Sequence, residues 1–130
     1  MREIKFRGLT KAGGFKYGWL SKDLESSTLY YDEYSYRIHW HPESGGVSNA
    51  PVLNGTVGQY TGLTDKNLKA IYESDLMRCE RGYLWQVSFD DRGCFIAHNP
   101  KDIEDCVLLD DYDFTITGNI HENPELLEAS

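Results

Sequence analysis

A chain of 130 residues, 40% apolar and 13% aromatic, fits one domain or two small lobes and is able to bury a core. No run approaches the roughly 18 apolar residues of a membrane span, and the opening MREIKFRG lacks the apolar centre of a secretory signal, so the expectation is a cytoplasmic protein without membrane contact. The net charge of −8 is uneven: residues 1–64 carry 7 basic and 6 acidic side chains, and residues 65–130 carry 6 and 15, so most of the surface repels nucleic-acid phosphates.

Residues 2–20 read as a β-hairpin. Ile4 and Phe6 alternate with Glu3, Lys5 and Arg7, Thr10 to Gly14 supplies the turn, and Phe15, Tyr17 and Trp19 alternate with Lys16 and Gly18. Lys5, Arg7, Lys11 and Lys16 make this the place for a nucleic-acid contact, if there is one. The competing reading is a half-buried antiparallel pair with a solvated charged face, and it is favoured because bases stack only on aromatics that share a side with the cations.

Leu29 to His41 is a strong strand pattern. Tyr34, Tyr36, Ile38 and Trp40 fall on one face, and Glu33, Ser35, Arg37, His39 and His41 on the other. A metal held by His39 and His41 lacks a third ligand at a recognisable spacing, so solvated histidines are the simpler reading and no metal or other cofactor is expected. Pro42 to Gly55 is full of turn formers, has no period, and reads as a loop between an N-terminal β lobe (1–41) and a second lobe (56–130).

The second lobe is denser in strands. Val57 to Thr61 reads as one, Gly62 to Asn67 as turn residues, and a new strand begins at Ile71 and runs to Met77. Lys66 to Ile71 is a further place for a helical turn. Tyr83 to Phe89 alternates, Asp90-Asp91-Arg92-Gly93 is a hairpin turn, Cys94 to Ala97 returns, and Asn99-Pro100 breaks the chain. Val107 to Leu109 reads as a short buried run, and Tyr112 to Ile120 as the last alternating strand. Strand starts about ten residues apart predict a mainly β protein, with an SH3-like barrel-type C-terminal lobe. The ending NPELLEAS predicts one short helical turn, with Asn123 as its cap and Pro124 at its first position.

Three blocks resemble the YopX family of phage and prophage proteins. Arg2-Glu3-Ile4-Lys5-Phe6-Arg7 is similar to its opening R-x-I-K-F-R. Gln59-Tyr60-Thr61-Gly62-Leu63 with Asp65, and Ile71-Tyr72-Glu73 with Asp75, are similar to its central Q-Y-T-G-L-x-D and I-Y-E-G-D. Gly118-Asn119-Ile120-His121-Glu122-Asn123-Pro124-Glu125-Leu126 is similar to its G-N-I-Y-E-N-P-E-L. Leu68 and Ser74 stand where the family usually has glycine, and Leu9 where it usually has tryptophan. The first two departures put the tightness of those turns in question, and Asn67 is the residue able to take over the left-handed position. The resemblance implies a phage or prophage setting and supplies no activity.

No phosphate loop, nucleophile elbow, zincin or dinucleotide motif is present. The pairs Asp90-Asp91 and Asp110-Asp111 sit in turns, where solubility and turn formation explain them. A Cys–His nucleophile needs only proximity in space, and His98, His121 and three cysteines are available. The stronger reading is a non-enzymatic accessory protein that binds a host macromolecule. A small-molecule or nucleotide module is the alternative, with Gln59, Tyr60, Thr61 and Asp75 as candidate ligand contacts; the same residues also read as scaffold. Cys79, Cys94 and Cys106 lie in or beside apolar runs and are expected to be buried, reduced thiols. The basic hairpin, the six acids between Asp102 and Asp113, and the aromatic stretch from Tyr30 to Trp40 point to a homo-oligomer.

Overall fold

The structure is a computed structural model that describes residues 4–22, 34–109 and 113–129. The opening Arg2-Glu3, Leu29 to Glu33 of the long strand, Asp110-Asp111 and Tyr112 lie outside these residues. The protein is mainly β: eleven strands and one short helix are present among the described residues. The chain divides into two compact units, residues 1–59 and 60–130, with the division inside one strand.

The first unit follows from the alternation. Strands β1 (Phe6–Leu9) and β2 (Phe15–Lys22) form the expected hairpin, closed by Thr10 N–H on the Gly14 carbonyl at 3.1 Å. Strand β3 (Tyr36–Trp40) pairs with β2 and puts Ile38 fully inside. The stretch 42–55 is not one loop, as expected, but a tight turn followed by strand β4 (Ser48–Val52) and a 3-10 turn (Asn54–Thr56). Pro51 and the surrounding turn formers hide β4 in the sequence. Proline is tolerated there because β4 pairs along its length only with β3 and has an outer edge where a missing N–H costs nothing.

The unit then rolls up. Thr10, just past β1, bridges Val52 at the end of β4, and Leu53 N–H donates to the Leu9 carbonyl at 2.9 Å. Gly8 permits this approach, since a Cβ there would lie 2.6 Å from the Val52 side chain. The curvature assigned to the C-terminal lobe therefore occurs in the first unit. Gly58 and Gln59, the first residues of β5 (Gly58–Thr64), complete this unit by pairing with β1.

In the second unit β5 continues through Gly62 to Thr64 instead of turning there, and pairs with β6 (Ala70–Tyr72). The stretch from Lys66 to Ile71 forms no helix; it is a turn leading into β6. Strands β7 (Asp75–Cys79), β8 (Leu84–Phe89), β9 (Phe95–Asn99), β10 (Asp102–Leu108) and β11 (Phe114–Asn119) form an antiparallel sheet ordered β10-β9-β8-β7-β11. Among the described residues no barrel closes in this unit, and β10 and β11 are the edges of the sheet. Ile71, Met77, Val87, Ala97, Leu109 and Phe114 make the core. The expected buried run at Val107–Leu109 reduces to Leu109, since Leu108 is exposed on the edge strand. Helix α1 (Glu125–Ala129) ends the described chain.

The two turns that lack glycine are tight all the same. Leu68 adopts φ 65° and Ser74 φ 78°, so the left-handed conformation falls on Leu68 itself and not on Asn67. Ser74 is pinned by its N–H on the Val87 carbonyl (2.8 Å) and its own carbonyl under the Ile120 N–H (3.1 Å). A left-handed L-residue costs about 1–2 kcal/mol, which glycine avoids at the expense of unfolded-chain entropy. Leu68 is exposed and has little packing to lose. Leu68→Gly is therefore expected to raise stability by about 0.5–1 kcal/mol in urea unfolding; a loss of stability would show that the turn is not strained.

Candidate functional site

The residues that match the family motif are ties within the fold. Gln59 lies in the first unit, opposite Phe6 of β1. Tyr60, Thr61 and Asp75 lie in the second. Tyr60 is half-buried, its ring centroid 5.5 Å from that of Tyr72 across the β5–β6 pair. Thr61 is buried, donates its hydroxyl to the Ile71 carbonyl (2.8 Å) and accepts from the Leu63 N–H (3.2 Å). Asp75 is 2% exposed, and its Oδ2 accepts from the Tyr72 N–H at 2.8 Å, closing the β6–β7 turn.

Two further ties, in blocks that resemble the family, are not among the candidate contacts. Asp65 accepts at Oδ1 from the N–H groups of Asn67 and Lys69, both 2.8 Å, and at Oδ2 from Ile116 N–H at 3.0 Å, 51 residues away. Burial pushes its carboxyl up, but the backbone donors of Ile116, Lys69 and Asn67 and the Lys69 charge outweigh that and hold it below the usual value. Asn119 is buried, takes the N–H groups of His121 (3.0 Å) and Glu122 (2.9 Å) on Oδ1, and donates to Glu122 Oε1 (3.1 Å). Asn123 does not cap α1 with its side-chain oxygen as expected; its Oδ1 accepts from Asn119 N–H at 3.2 Å. The block resembling the family's G-N-I-Y-E-N-P-E-L is thus a turn lock.

The basic hairpin residues do not share one face. Arg7 stands opposite Tyr17 and is buried, its guanidinium carbon 4.4 Å from the Phe15 ring centroid. Lys16, one position on, belongs to the other face, where its Nζ lies 4.9 Å from the Trp40 ring centroid. Lys11 is exposed in the turn and Lys5 precedes β1. Tyr36 and Trp40 share the inward face of Ile38 and are half-buried, while Tyr30 and Tyr31 of the expected aromatic stretch lie outside the described residues.

The outward face of the first unit is built by the register of β2 on β3. Trp19 stands opposite His39, and Ser21 opposite Arg37. Trp19 stacks on His39 with ring centroids 5.6 Å apart and planes within 12°, and His41 approaches the same indole at 5.1 Å. Ser21 Oγ and His39 Nε2 are hydrogen-bonded at 2.7 Å, His41 Nδ1 meets the Gly46 carbonyl at 3.1 Å, and Arg37 donates to Asn49 Oδ1 at 2.9 Å. Gly18 lets the strands come this close, since a Cβ there would fall 1.8 Å from the His39 carbonyl oxygen. Tyr17 and Trp19 remain 44% and 43% exposed on this face.

The second unit has a recess of 930 Å³, lined among others by Cys79, Arg81, Tyr83, Trp85, Lys101 and Asp105. Burial pushes the Cys79 thiol up, but the Trp85 side chain and the backbone amides of the β7–β8 turn outweigh it, so the thiol sits below its ordinary value. Cys94 and Cys106 are exposed, against the expectation that all three are buried: they lie at the start of the β9 return and on the edge strand β10. Cys106 stands opposite His98 in the β9–β10 ladder, but His98 is buried, with Nδ1 on the Asn99 carbonyl at 2.8 Å.

Residues 13–128 match the family model described as YopX protein. The chain belongs to the YopX family. No curated protein matches its sequence. Among solved structures, a protein described as EF1440 from Enterococcus faecalis is similar to this YopX chain, with 19% identity, 98% of this chain and 99% of that chain covered, and a TM-score of 0.53. That likeness shows a shared fold. Among the described residues of the YopX chain, no helix is long and apolar enough to cross a membrane, and no cluster of metal-ligating side chains is present.

Two outcomes follow for the YopX chain. Asp65→Asn leaves one oxygen where two served three amides, so it is expected to cost about 1.5–3 kcal/mol at neutral pH in urea unfolding. Because the native carboxyl is held low, its contribution is complete above the unfolded carboxyl's pKa, about 4, and is lost as pH falls through the folded value. Wild type and variant should therefore converge in acid; an unchanged difference would contradict this. Cys94 and Cys106 should react with a thiol reagent in native buffer, and serine at each should remove one fast-reacting thiol; protection until denaturant is added would refute their exposure.

Proposed function

We propose that this YopX protein is a non-enzymatic phage or prophage accessory protein that acts in the cytoplasm by binding a macromolecule of its host through the outward face of β2–β4. The observation that carries the reading is the pair of large aromatics, Tyr17 and Trp19, left 44% and 43% exposed in the middle of a paired strand. Trp19 adjoins His39 and His41, and Tyr17 adjoins Phe15 on the same side of β2. Exposed aromatic clusters with polar neighbours are the usual make-up of an interaction surface. The absence of catalysis is supported by His98, which is buried and engaged at Nδ1 while Cys106 faces solvent on an edge strand.

The second reading, a small-molecule module, is favoured by the 930 Å³ recess, where Tyr83 and Trp85 stand with Arg81, Lys101 and Asp105. The two readings separate in one comparison. Tagged wild-type protein, Trp19→Ala and Tyr83→Ala are recovered from host cells, and the bound species are resolved by mass spectrometry and nucleic-acid staining. The proposal expects a macromolecule held by wild type and Tyr83→Ala and lost from Trp19→Ala. A small molecule retained by wild type and Trp19→Ala but lost from Tyr83→Ala would overturn it in favour of the recess.

A further inference from the structure

We infer that the outward face of β2–β4 binds single-stranded nucleic acid without sequence readout, stacking bases on Trp19 and Tyr17 and meeting phosphates with Arg37; this rests on the reading of that face as the binding surface. The strands FRGL, FKYGWLSK, YRIHW and SNAPV contain no carboxylate, in a chain whose net charge is −8. Of their four cations, Arg7 is buried and Lys16 and Lys22 lie on the inward face with Trp40 and Tyr36, so Arg37 is the one this face presents. The acids are concentrated elsewhere: residues 65–130 hold 15 of them. On this face of β2 and β3 the cation Arg37 shares its side with the two exposed aromatics, as the pairing of Trp19 with His39 and Ser21 with Arg37 requires.

A stacking platform needs aromatic faces fixed in place beside positive charge. Trp19 is fixed on both counts, lying nearly parallel to the His39 ring and touched by His41. Tyr17 and Trp19 are two residues apart on one strand, about 6.8 Å, or about two rises of stacked bases. Arg37 is steadied by Asn49, and a guanidinium offers five donors in a planar fork suited to phosphate. Duplex bases are not available to such rings, whereas an open strand can splay its bases onto them. A peptide partner would use the aromatics equally well, but it would give no reason for four carboxylate-free strands in an acidic protein.

The test is fluorescence anisotropy with labelled oligo(dT) and oligo(U) of about 20 nucleotides and a duplex of the same length, as salt rises from about 50 to about 200 mM. The inference expects both single strands to bind more tightly than the duplex, with affinity falling as salt rises. Trp19→Ala should weaken binding about ten-fold or more, Trp19→Phe should recover most of it, and Arg37→Gln should lower the salt slope by about 0.7. If Trp19→Ala does not fold, Tyr17→Ala takes its place, since Tyr17 is exposed. Absence of salt-dependent binding to either strand, equal affinity for the duplex, or wild-type affinity in folded Trp19→Ala would each overturn the inference. If oligonucleotides fail to bind but a host protein is still lost from Trp19→Ala after nuclease treatment, the face serves a protein and only this inference falls. If nothing recovered from host cells depends on Trp19, the reading beneath it falls as well.

Discussion

The carboxylate of Asp65 holds the second unit to its own sequence order. A single side chain, 6% exposed, accepts from two amides of its own turn and one amide of β11, and so fixes a local bend and a contact 51 residues distant at once. Buried acids are expensive unless their lone pairs are met. Here three backbone donors meet them, and the carboxyl is held ionised as a result. Lys66 N–H adds to the same junction by donating to the Phe114 carbonyl at 2.8 Å. Asp75, Thr61 and Asn119 repeat the device at neighbouring turns, each satisfying backbone groups that the bends leave open. The residues that mark the family therefore describe a way of closing turns.

The acidity of the second unit has a related explanation. β10 ends the sheet and offers an unpaired edge, with Ile103 and Leu108 60% and 46% exposed along it. Asp102, Glu104 and Asp105 are interleaved with these apolar residues, and the pairing with β9 shifts register between Asp102 and Cys106. Charges and an irregular ladder are the means by which edges avoid pairing with other chains. The first unit lacks this need over much of its length, because Thr10 and Val52 bring its ends together. Its strands are free to carry aromatics and cations instead.

Much of the architecture was legible where cause and effect lie close in sequence. Alternation of Phe15, Tyr17 and Trp19, the turn at Asp90 to Gly93, and the short helix after Pro124 all rest on neighbours a few residues apart. β4 was hidden because Pro51 and its neighbours look like a loop until β3 supplies a partner. Leu68 and Ser74 disguise left-handed turns under side chains that normally avoid them. The bond from Ile116 to Asp65 has no local trace, and so Asp65 carried no signal beyond its place in the motif. The face proposed for binding was missed for the same reason. Read within the hairpin, Lys5, Arg7, Lys11 and Lys16 are the available cations, yet the cation beside Trp19 comes from β3, through a register that only pairing decides.

The claim that the family motif closes turns around buried carboxylates is tested most directly by amide hydrogen exchange in Asp65→Asn. Protection at Asn67, Lys69 and Ile116 should fall together, because one carboxylate accepts from all three. Protection retained at Ile116 while Asn67 and Lys69 open would reduce Asp65 to a local turn residue. Unchanged protection at all three would contradict the account.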